Sequence, residues 1–255
     1  MNKLLIVNAD DFGLCKAQNY GIIDAFVNGV VTSTTAMVNA AGSAQAATLS
    51  AAHPELDIGL HFVLTTGQPL SPLKELTDEK GKLGELFWLK AQAGTLPLAA
   101  IANELECQFL RFVKLFGRLP THIDSHHHVH MHSQLFPLVE TFAKDKGIAI
   151  RIDRRAAASS HIQLCGSLST HGFESGFYGE KITQKLFLEL LDRSALREEQ
   201  SLEMMCHPSF VDNTLLKSRY CFPRLIELDI LTAPSLKQAI AERGYQLGSY
   251  RDLMR

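Results

Sequence analysis

Residues 4–13 read LLIVNADDFG, an apolar stretch of strand-forming residues that runs directly into two adjacent aspartates. Residues 4–7 are uniformly apolar, as expected of a strand buried on both faces of a parallel sheet. Asp10 and Asp11 then stand at the carboxyl end of that strand, where α/β folds place their functional groups. Two adjacent carboxylates repel each other unless a cation or a proton offsets their charge. The stretch therefore predicts a parallel α/β fold with a charged site at one edge of its sheet.

Outward from this stretch, short apolar runs alternate with helical patterns. Such alternation implies parallel strands joined by crossover helices, in either an open doubly wound sheet or a barrel. Residues 65–95 interrupt it, and we expect them to form a long irregular loop able to close as a lid. No repeat or linker-like change in composition divides the chain, so one domain over residues 1–255 is predicted. The strands are predicted at 4–8, 32–38, 57–63, 121–124, 149–152 and 202–206, and the helices at 17–28, 44–52, 98–116, 134–146, 181–194, 225–231 and 235–242.

The composition is typical of a soluble globular protein, with 46% hydrophobic and 20% charged residues. A formal net charge of -2 gives no basic field that would attract nucleic acid. The five cysteines include no CxxC pair, which favours reduced thiols in the cytoplasm. No apolar run approaches the ~20 residues of a membrane span, and the N-terminus lacks the pattern of a secretory signal. We therefore expect a cytoplasmic protein that binds neither nucleic acid nor membrane, with a homodimer as the commonest assembly.

Histidine is concentrated in residues 122–132, which read HIDSHHHVHMH. Neutral imidazoles at these spacings can bind a divalent ion, with Asp124 orienting one of them through a hydrogen bond. The alternative is a histidine-rich turn without ligands. His61, at the end of a predicted strand, is either a ligand or an ordinary buried histidine. His207 also ends a strand, where it could serve as a general acid.

Together these residues indicate a metal-dependent hydrolase. A mixed Asp and His site leaves water positions open on a divalent ion, whose charge lowers the pKa of bound water and polarises a carbonyl. A second carboxylate can accept the water's proton, and a distant histidine can protonate the leaving group. A metal-dependent phosphoesterase and a non-enzymatic metal-binding protein use similar residues and are the alternatives. The acidic pair alone could also belong to a solvated loop ahead of a helix.

Four segments resemble the YdjC-like carbohydrate deacetylases: NADDFG at 8–13, GLHFVLT at 59–65, THIDSHHHVHMH at 121–132 and EMMCHP at 203–208. They agree with the family in order and spacing, and the similarity extends over nearly the whole chain. It is greatest to the members that act on chitin disaccharides.

The resemblance implies an α/β fold of one domain, a distorted, TIM-like (β/α) barrel related to the polysaccharide deacetylases. It implies an amide hydrolase that removes an N-acetyl group from chitooligosaccharides such as diacetylchitobiose or its 6-phosphate. Such an activity belongs to chitin degradation and carbohydrate metabolism. The implied cofactor is Mg²⁺, and Zn²⁺ or Mn²⁺ would suit the same residue types.

The resemblance also assigns the metal and the chemistry to particular residues. The implied ligands are Asp11, His61 and His126, with His128 as the alternative ligand. Asp10 matches the general base and His207 the general acid.

Four further residues are candidates for contact with the sugar. Phe62, Trp88 and Tyr178 could stack against its rings, although Phe62 could equally be an ordinary core residue. Arg151 could bind hydroxyl groups or, with Arg154 and Arg155, a phosphate.

Overall fold

The strand predicted at residues 4–8 is longer in the structure, a computed structural model that describes residues 3–253. This strand, β1 (Lys3–Phe12), includes both aspartates and is buried from Leu5 onward. Its uninterrupted apolar start suits its central place in the sheet. The other strands are β2 (Ser33–Ala36), β3 (Asp57–Phe62), β4 (His122–Ser125), β5 (Ala149–Ile150), β6 (Gly172–Glu174), β7 (Ser201–Cys206) and β8 (Tyr245–Leu247).

The eight strands form one sheet in which every strand pairing is parallel. Their order is β5-β4-β3-β2-β1-β7-β6, and β8 pairs with residues 3–5 at the start of β1. Among the described residues, β5 and β6 stand at the two ends of this strand order. Because all strands run the same way, their carboxyl ends meet at one edge of the sheet. The segments that carry the predicted site residues therefore converge there.

Helices connect the strands, and two of them end at a glycine, as their sequences predict. Gly117 and Gly147 adopt the left-handed conformation that terminates the fourth and fifth helices. In the part of the chain that the structure describes, no helix combines the length and apolarity needed to cross a membrane. The helices are α1 (Lys16–Val27), α2 (Ser43–Ala51), α3 (Leu86–Gln92), α4 (Leu98–Phe116), α5 (Phe136–Lys146), α6 (Arg154–Ser159), α7 (Gln184–Leu196), α8 (Phe222–Thr232) and α9 (Pro234–Glu242).

The long irregular loop predicted at residues 65–95 is present only in part. The segment contains a 3-10 helix at Lys74–Leu76 as well as α3. It is also tied to α4, because the buried carboxylate of Glu104 accepts hydrogen bonds from the backbone N–H groups of Leu70 and Ser71. Elements this short lack a measurable apolar period, which is also why α6, β6 and β8 were not predicted.

Side chains of β1 alternate between the two faces of the sheet, as in any strand. Leu5 and Val7 belong to the main core, whereas Ile6 packs with Tyr250 in a separate cluster. Tyr250 comes from the 3-10 helix Tyr250–Leu253 and stacks on the ring of His122, with centroids 3.8 Å apart. The 3-10 helix that follows β8 therefore covers this face of the sheet.

Candidate metal centre and active site

Asp10 and Asp11 line the same cavity because β1 is irregular between them. Successive side chains of a regular strand point to opposite faces, so two neighbouring acids would normally be separated. The register of β1 against β2 shifts between Ala9 and Phe12, and Asp11 has φ 71°. That left-handed conformation costs a non-glycine residue about 1–2 kcal/mol. Because of this irregularity, both side chains belong to one site.

One oxygen of Asp11 lies against two imidazoles. Its Oδ1 is 3.3 Å from Nε2 of His61 and 3.0 Å from Nδ1 of His126. Donor atoms of these three residues all lie within 4.8 Å of one another. Two ligand atoms, each about 2.1 Å from one ion and at ordinary coordination angles, are about 3.0–3.4 Å apart. The three residues therefore fit a divalent ion.

Asp124 fixes the orientation of the His61 ring. Nδ1 of His61 lies 2.7 Å from Oδ1 of Asp124, which leaves Nε2 directed at Asp11. Thr35 holds Asp124 in turn, because its hydroxyl donates to Oδ2 at 3.0 Å. A carboxylate behind a ligand histidine is the usual support of a metal centre. Burial would lower the pKa of His61, but Asp124 and Asp11 outweigh it and raise that pKa to about 10.

Arginines hold both aspartates in the ionised form. Burial alone would raise the pKa of each carboxyl group, but the ion pairs lower it below its usual range. Asp10 is paired with Arg151, whose Nη1 and Nη2 lie 2.8 and 2.7 Å from its two oxygens. Asp11 is paired with Arg224, whose Nη2 lies 2.8 Å from Oδ2. Oδ1 of Asp11 is thereby left for the two histidines.

The prediction that Arg151 contacts the sugar was wrong. Arg151 is fully buried, and besides Asp10 its guanidinium contacts Asp124 at 2.8 Å and Glu203 at 2.6 Å. Its neighbours do not line the cavity either. Arg154 donates to the backbone carbonyl of Thr170 and Arg155 to that of Phe173, so neither is placed to bind a phosphate in this cavity.

The histidine-rich segment divides into residues with different environments. His126, His127 and His128 line the cavity, and His126 alone of the three belongs to the donor cluster with Asp11. His128, the alternative ligand, stays outside that cluster, with its ring edge-on to Phe173. His130 is fully buried and bonded to Ser125 and to the backbone of Arg151. His122 is buried beneath Tyr250.

His207 follows β7 and lines the cavity as predicted for a strand-end residue. Its backbone N–H donates to the buried carboxylate of Glu227. Burial and, after it, the charge of Arg224 lower the pKa of His207 to about 3. The imidazole is therefore neutral at neutral pH, and a role as general acid requires that it gain a proton during the reaction.

An aromatic wall stands next to His207. The rings of Tyr178 and Tyr220 are stacked with centroids 3.9 Å apart, and both meet the His207 ring edge-on. Tyr178 is 50% exposed, so one ring face is open to the cavity. Tyr220 is fixed by a hydrogen bond from its hydroxyl to Glu227. Tyr178 thus has the environment expected of a residue that stacks on a sugar.

The two other predicted stacking residues do not line this cavity. Phe62 is fully buried in the main core, so the prediction of sugar contact was wrong and the core alternative holds. Trp88 lies on α3 with its ring edge-on to Phe87, and it is 44% exposed outside the cavity. Both predictions failed because the sequence does not show which way a ring points. A strand of a parallel sheet is apolar on both faces, and α3 is too short to show a pattern.

Sequence reasoning also missed several residues of the site. Arg224 and Glu227 come from α8, far from any predicted strand end, and no local pattern marks them. The cavity, of about 780 Å³, is completed by the exposed residues Lys217 and Arg219 ahead of α8. The site therefore combines a cluster of side chains that could hold a metal ion with a polar and aromatic cavity, which is large enough for a disaccharide-sized ligand.

Residues 4–242 match the family model described as YdjC-like protein. The chain belongs to the YdjC-like family. This confirms the resemblance found in the motifs.

Two bacterial relatives of this YdjC-like chain are named chitooligosaccharide deacetylase. That of Enterobacter sp. (strain 638) is 61% identical over 253 residues, covering 99% of this chain and 100% of that protein. That of Klebsiella pneumoniae (strain 342) is 58% identical over 253 residues, with the same coverage.

Solved structures share the fold of the YdjC-like chain. A protein of Enterococcus faecalis V583, described as a candidate for cellobiose-phosphate cleavage, is 34% identical with a TM-score of 0.88 and 99% of each chain covered. The Xyl-CE4 domain of a multidomain xylanase from a Trinervitermes trinervoides hindgut metagenome has a TM-score of 0.52 at 8% identity, over 100% of this chain and 90% of that one. The latter shows the fold alone. The predicted distorted (β/α) barrel is confirmed.

Proposed function

We propose that this YdjC-like chain is a metal-dependent carbohydrate deacetylase that removes an N-acetyl group from chitooligosaccharides such as diacetylchitobiose. The observation that carries the proposal is the cluster of Asp11, His61 and His126 beside a second acid, Asp10, and a further histidine, His207. This is the set of groups that amide hydrolysis requires. The names of the two relatives supply the substrate class.

Asp11, His61 and His126 would hold the ion, which we propose to be Mg²⁺, with Zn²⁺ or Mn²⁺ as chemically suitable replacements. When bound, the ion supplies positive charge that polarises the acetamide carbonyl and acidifies a water molecule. Neutral imidazole is the ligand form, so His61 must lose the proton that its raised pKa indicates.

Asp10 would accept the proton of the attacking water, whose oxygen forms the new bond to the acetamide carbon. Arg151 keeps the Asp10 carboxylate ionised and correctly oriented before the reaction. The proton that Asp10 accepted passes to His207 and from it to the nitrogen as the bond between carbon and nitrogen breaks, which returns Asp10 to the ionised form. Negative charge developing on the acetamide oxygen raises the proton affinity of that neutral imidazole. The products are acetate and a free amine on the sugar.

We propose that the open ring face of Tyr178 binds the sugar, and that Lys217 and Arg219 bind the phosphate of a phosphorylated disaccharide. Both basic residues are exposed at the cavity wall, where a phosphate could reach them. The name of the Enterococcus faecalis protein points to a phosphorylated disaccharide in that relative. A cytoplasmic location and a homodimer stay predictions from the sequence.

The test is acetate release from diacetylchitobiose by the purified protein, with Mg²⁺, Mn²⁺ and Zn²⁺ compared and a chelator as control. Equimolar acetate and free amine are expected with a divalent ion and neither with the chelator. Absence of both products with all three ions would contradict the proposed function. In the same assay, the 6-phosphate is expected to have a lower KM than the free disaccharide, and equal values would exclude a phosphate site.

The same assay distinguishes the two rival hypotheses. A phosphoesterase would release phosphate from the 6-phosphate and no acetate. A metal-binding protein without catalysis would release neither product, and it would leave the environments of Asp10 and His207 unexplained.

A further inference from the structure

Two sets of metal-binding side chains share the ring of His61. The first is the cluster of Asp11, His61 and His126. The second joins His61 to Asp10 and Asp124, whose donor atoms likewise lie within 4.8 Å of one another, and all three residues are buried. Nε2 of His61 faces the first set, and Nδ1 faces Asp124 in the second. One imidazole therefore stands between two places suited to a divalent ion.

A guanidinium fills the second place. Nη1 of Arg151 lies 2.8 Å from Oδ2 of Asp10 and 2.8 Å from Oδ2 of Asp124, so it bridges the two carboxylates. An ion bridging the same oxygens would stand about 2.1 Å from each of them, in the space that Nη1 occupies. Arg151 and a second ion therefore exclude each other.

Arg151 also supplies the positive charge that this interior needs. Asp10, Asp124 and Glu203 are all buried, and each contacts the guanidinium within 3 Å. Removing one partner of such a buried pair is strongly destabilising, because it leaves an uncompensated charge. A positive charge is therefore needed at this position, and in this chain the side chain of Arg151 supplies it.

Asn8 adjoins one of these acids, Asp10, and carries a buried oxygen atom without a partner in the described part of the chain. Its fully buried amide donates from Nδ2 to Asp10 Oδ1 at 2.9 Å and to Thr35 at 3.3 Å. Its Oδ1 has no hydrogen-bond partner among the described residues. A buried amide oxygen without a partner costs stability, and it is a ligand that hard divalent ions accept.

We propose that Arg151 is a built-in substitute for a second divalent ion and keeps the metal centre mononuclear. The inference rests on the proposed metal site at Asp11, His61 and His126. Its consequence concerns Asp10, because a carboxylate bound to a second ion is a much weaker base toward water. Arg151 does not touch substrate in this arrangement; it is a positioning residue that reserves Asp10 for proton transfer.

The experiment counts Mn²⁺ ions bound by the full-length chain, by titration calorimetry and by elemental analysis after dialysis. Wild type is expected to bind one ion and Arg151→Met two. Arg224→Met is the matched control, since Arg224 is a buried arginine paired with the neighbouring acid Asp11. Arg224 adjoins no second donor set among the described residues, so this variant is expected to bind no more than one ion. Arg151→Lys keeps the charge and is likewise expected to stay at one.

Each outcome decides a different statement. One ion in Arg151→Met, or two in wild type, overturns the inference and leaves the proposed function standing. A wild type that binds no ion contradicts the proposed function itself. If Arg151→Met unfolds without metal, circular dichroism should show refolding in Mn²⁺, because the second ion replaces the lost charge. A variant that stays unfolded in Mn²⁺ also overturns the inference.

Discussion

Asp10 and Asp11 are adjacent in the chain, yet each is paired with a different arginine from a different part of the fold. Arg151 follows β5 and holds Asp10, whereas Arg224 comes from α8 and holds Asp11. The charge of each carboxylate is therefore balanced by its own arginine, and the two acids differ in their ion pairs as well as in their positions. The proposed roles, with Asp11 as a metal ligand and Asp10 as a base, depend on this difference.

The first prediction concerns that difference between the two acids. Asp11→Asn is expected to lose bound metal together with activity, because it removes the shared ligand oxygen. Asp10→Asn should retain one ion while kcat falls by about 10²–10⁴-fold, the usual contribution of a general base. Metal content and kcat measured on the same samples check both statements. Equal metal loss in the two variants would contradict separate roles.

The second prediction is a proton released on metal binding. The pKa of His61 is raised to about 10, so the ring is protonated at neutral pH before the ion binds. The ion needs Nε2 unprotonated, and metal affinity should therefore rise about tenfold for each pH unit between pH 7 and 9. Calorimetry in buffers of different ionisation enthalpy measures the released proton directly. A pH-independent affinity would show that no proton leaves His61 when the ion binds.

The third prediction separates Tyr178 from Trp88, two exposed aromatic residues. Tyr178→Ala should raise KM by about fivefold, since an aromatic contact contributes about 1 kcal/mol beyond the area it buries. Tyr178→Phe keeps the ring and should remain near wild type. Trp88→Ala, outside the cavity, serves as the control and should leave KM unchanged. A larger effect from Trp88→Ala than from Tyr178→Ala would move the sugar site toward α3.

The fourth prediction treats Phe62 as a core residue. Phe62→Ala should lower the free energy of unfolding by about 3–5 kcal/mol, the usual cost of such a truncation in a packed interior. The folded fraction should keep the KM of wild type, because the ring does not reach the cavity. Denaturant unfolding and steady-state kinetics give the two quantities. A raised KM with unchanged stability would reverse this assignment.

The sequence predicted the elements that carry the site better than the faces that its side chains take. Asp10, His61 and His207 stand at the ends of strong apolar runs, so their convergence follows from parallel strands. Phe62 and Arg151 also stand near strand ends, but both faces of these strands are buried. A uniform apolar run does not distinguish inward from outward positions.

Other parts of the site depend on tertiary packing alone. Asp11 adopts a left-handed backbone conformation, which sequence reasoning expects at glycine and not at aspartate. The surrounding contacts maintain that conformation. Arg224 reaches the cavity, and Glu227 lies buried behind it against His207, because α8 packs against α1 and the end of β7. Neither residue has a local pattern, so the support of the acids and of His207 was beyond sequence reasoning.

The pairing of β8 with β1 has a consequence for how the protein is made. β1 is synthesised first, but one stretch of its backbone finds its partner only when residues 245–247 have left the ribosome. Tyr250, which contacts Glu203 and through it Arg151, follows still later. In the nascent chain β1 therefore stays incompletely paired until then. We expect its dependence on chaperones to be greatest over that interval.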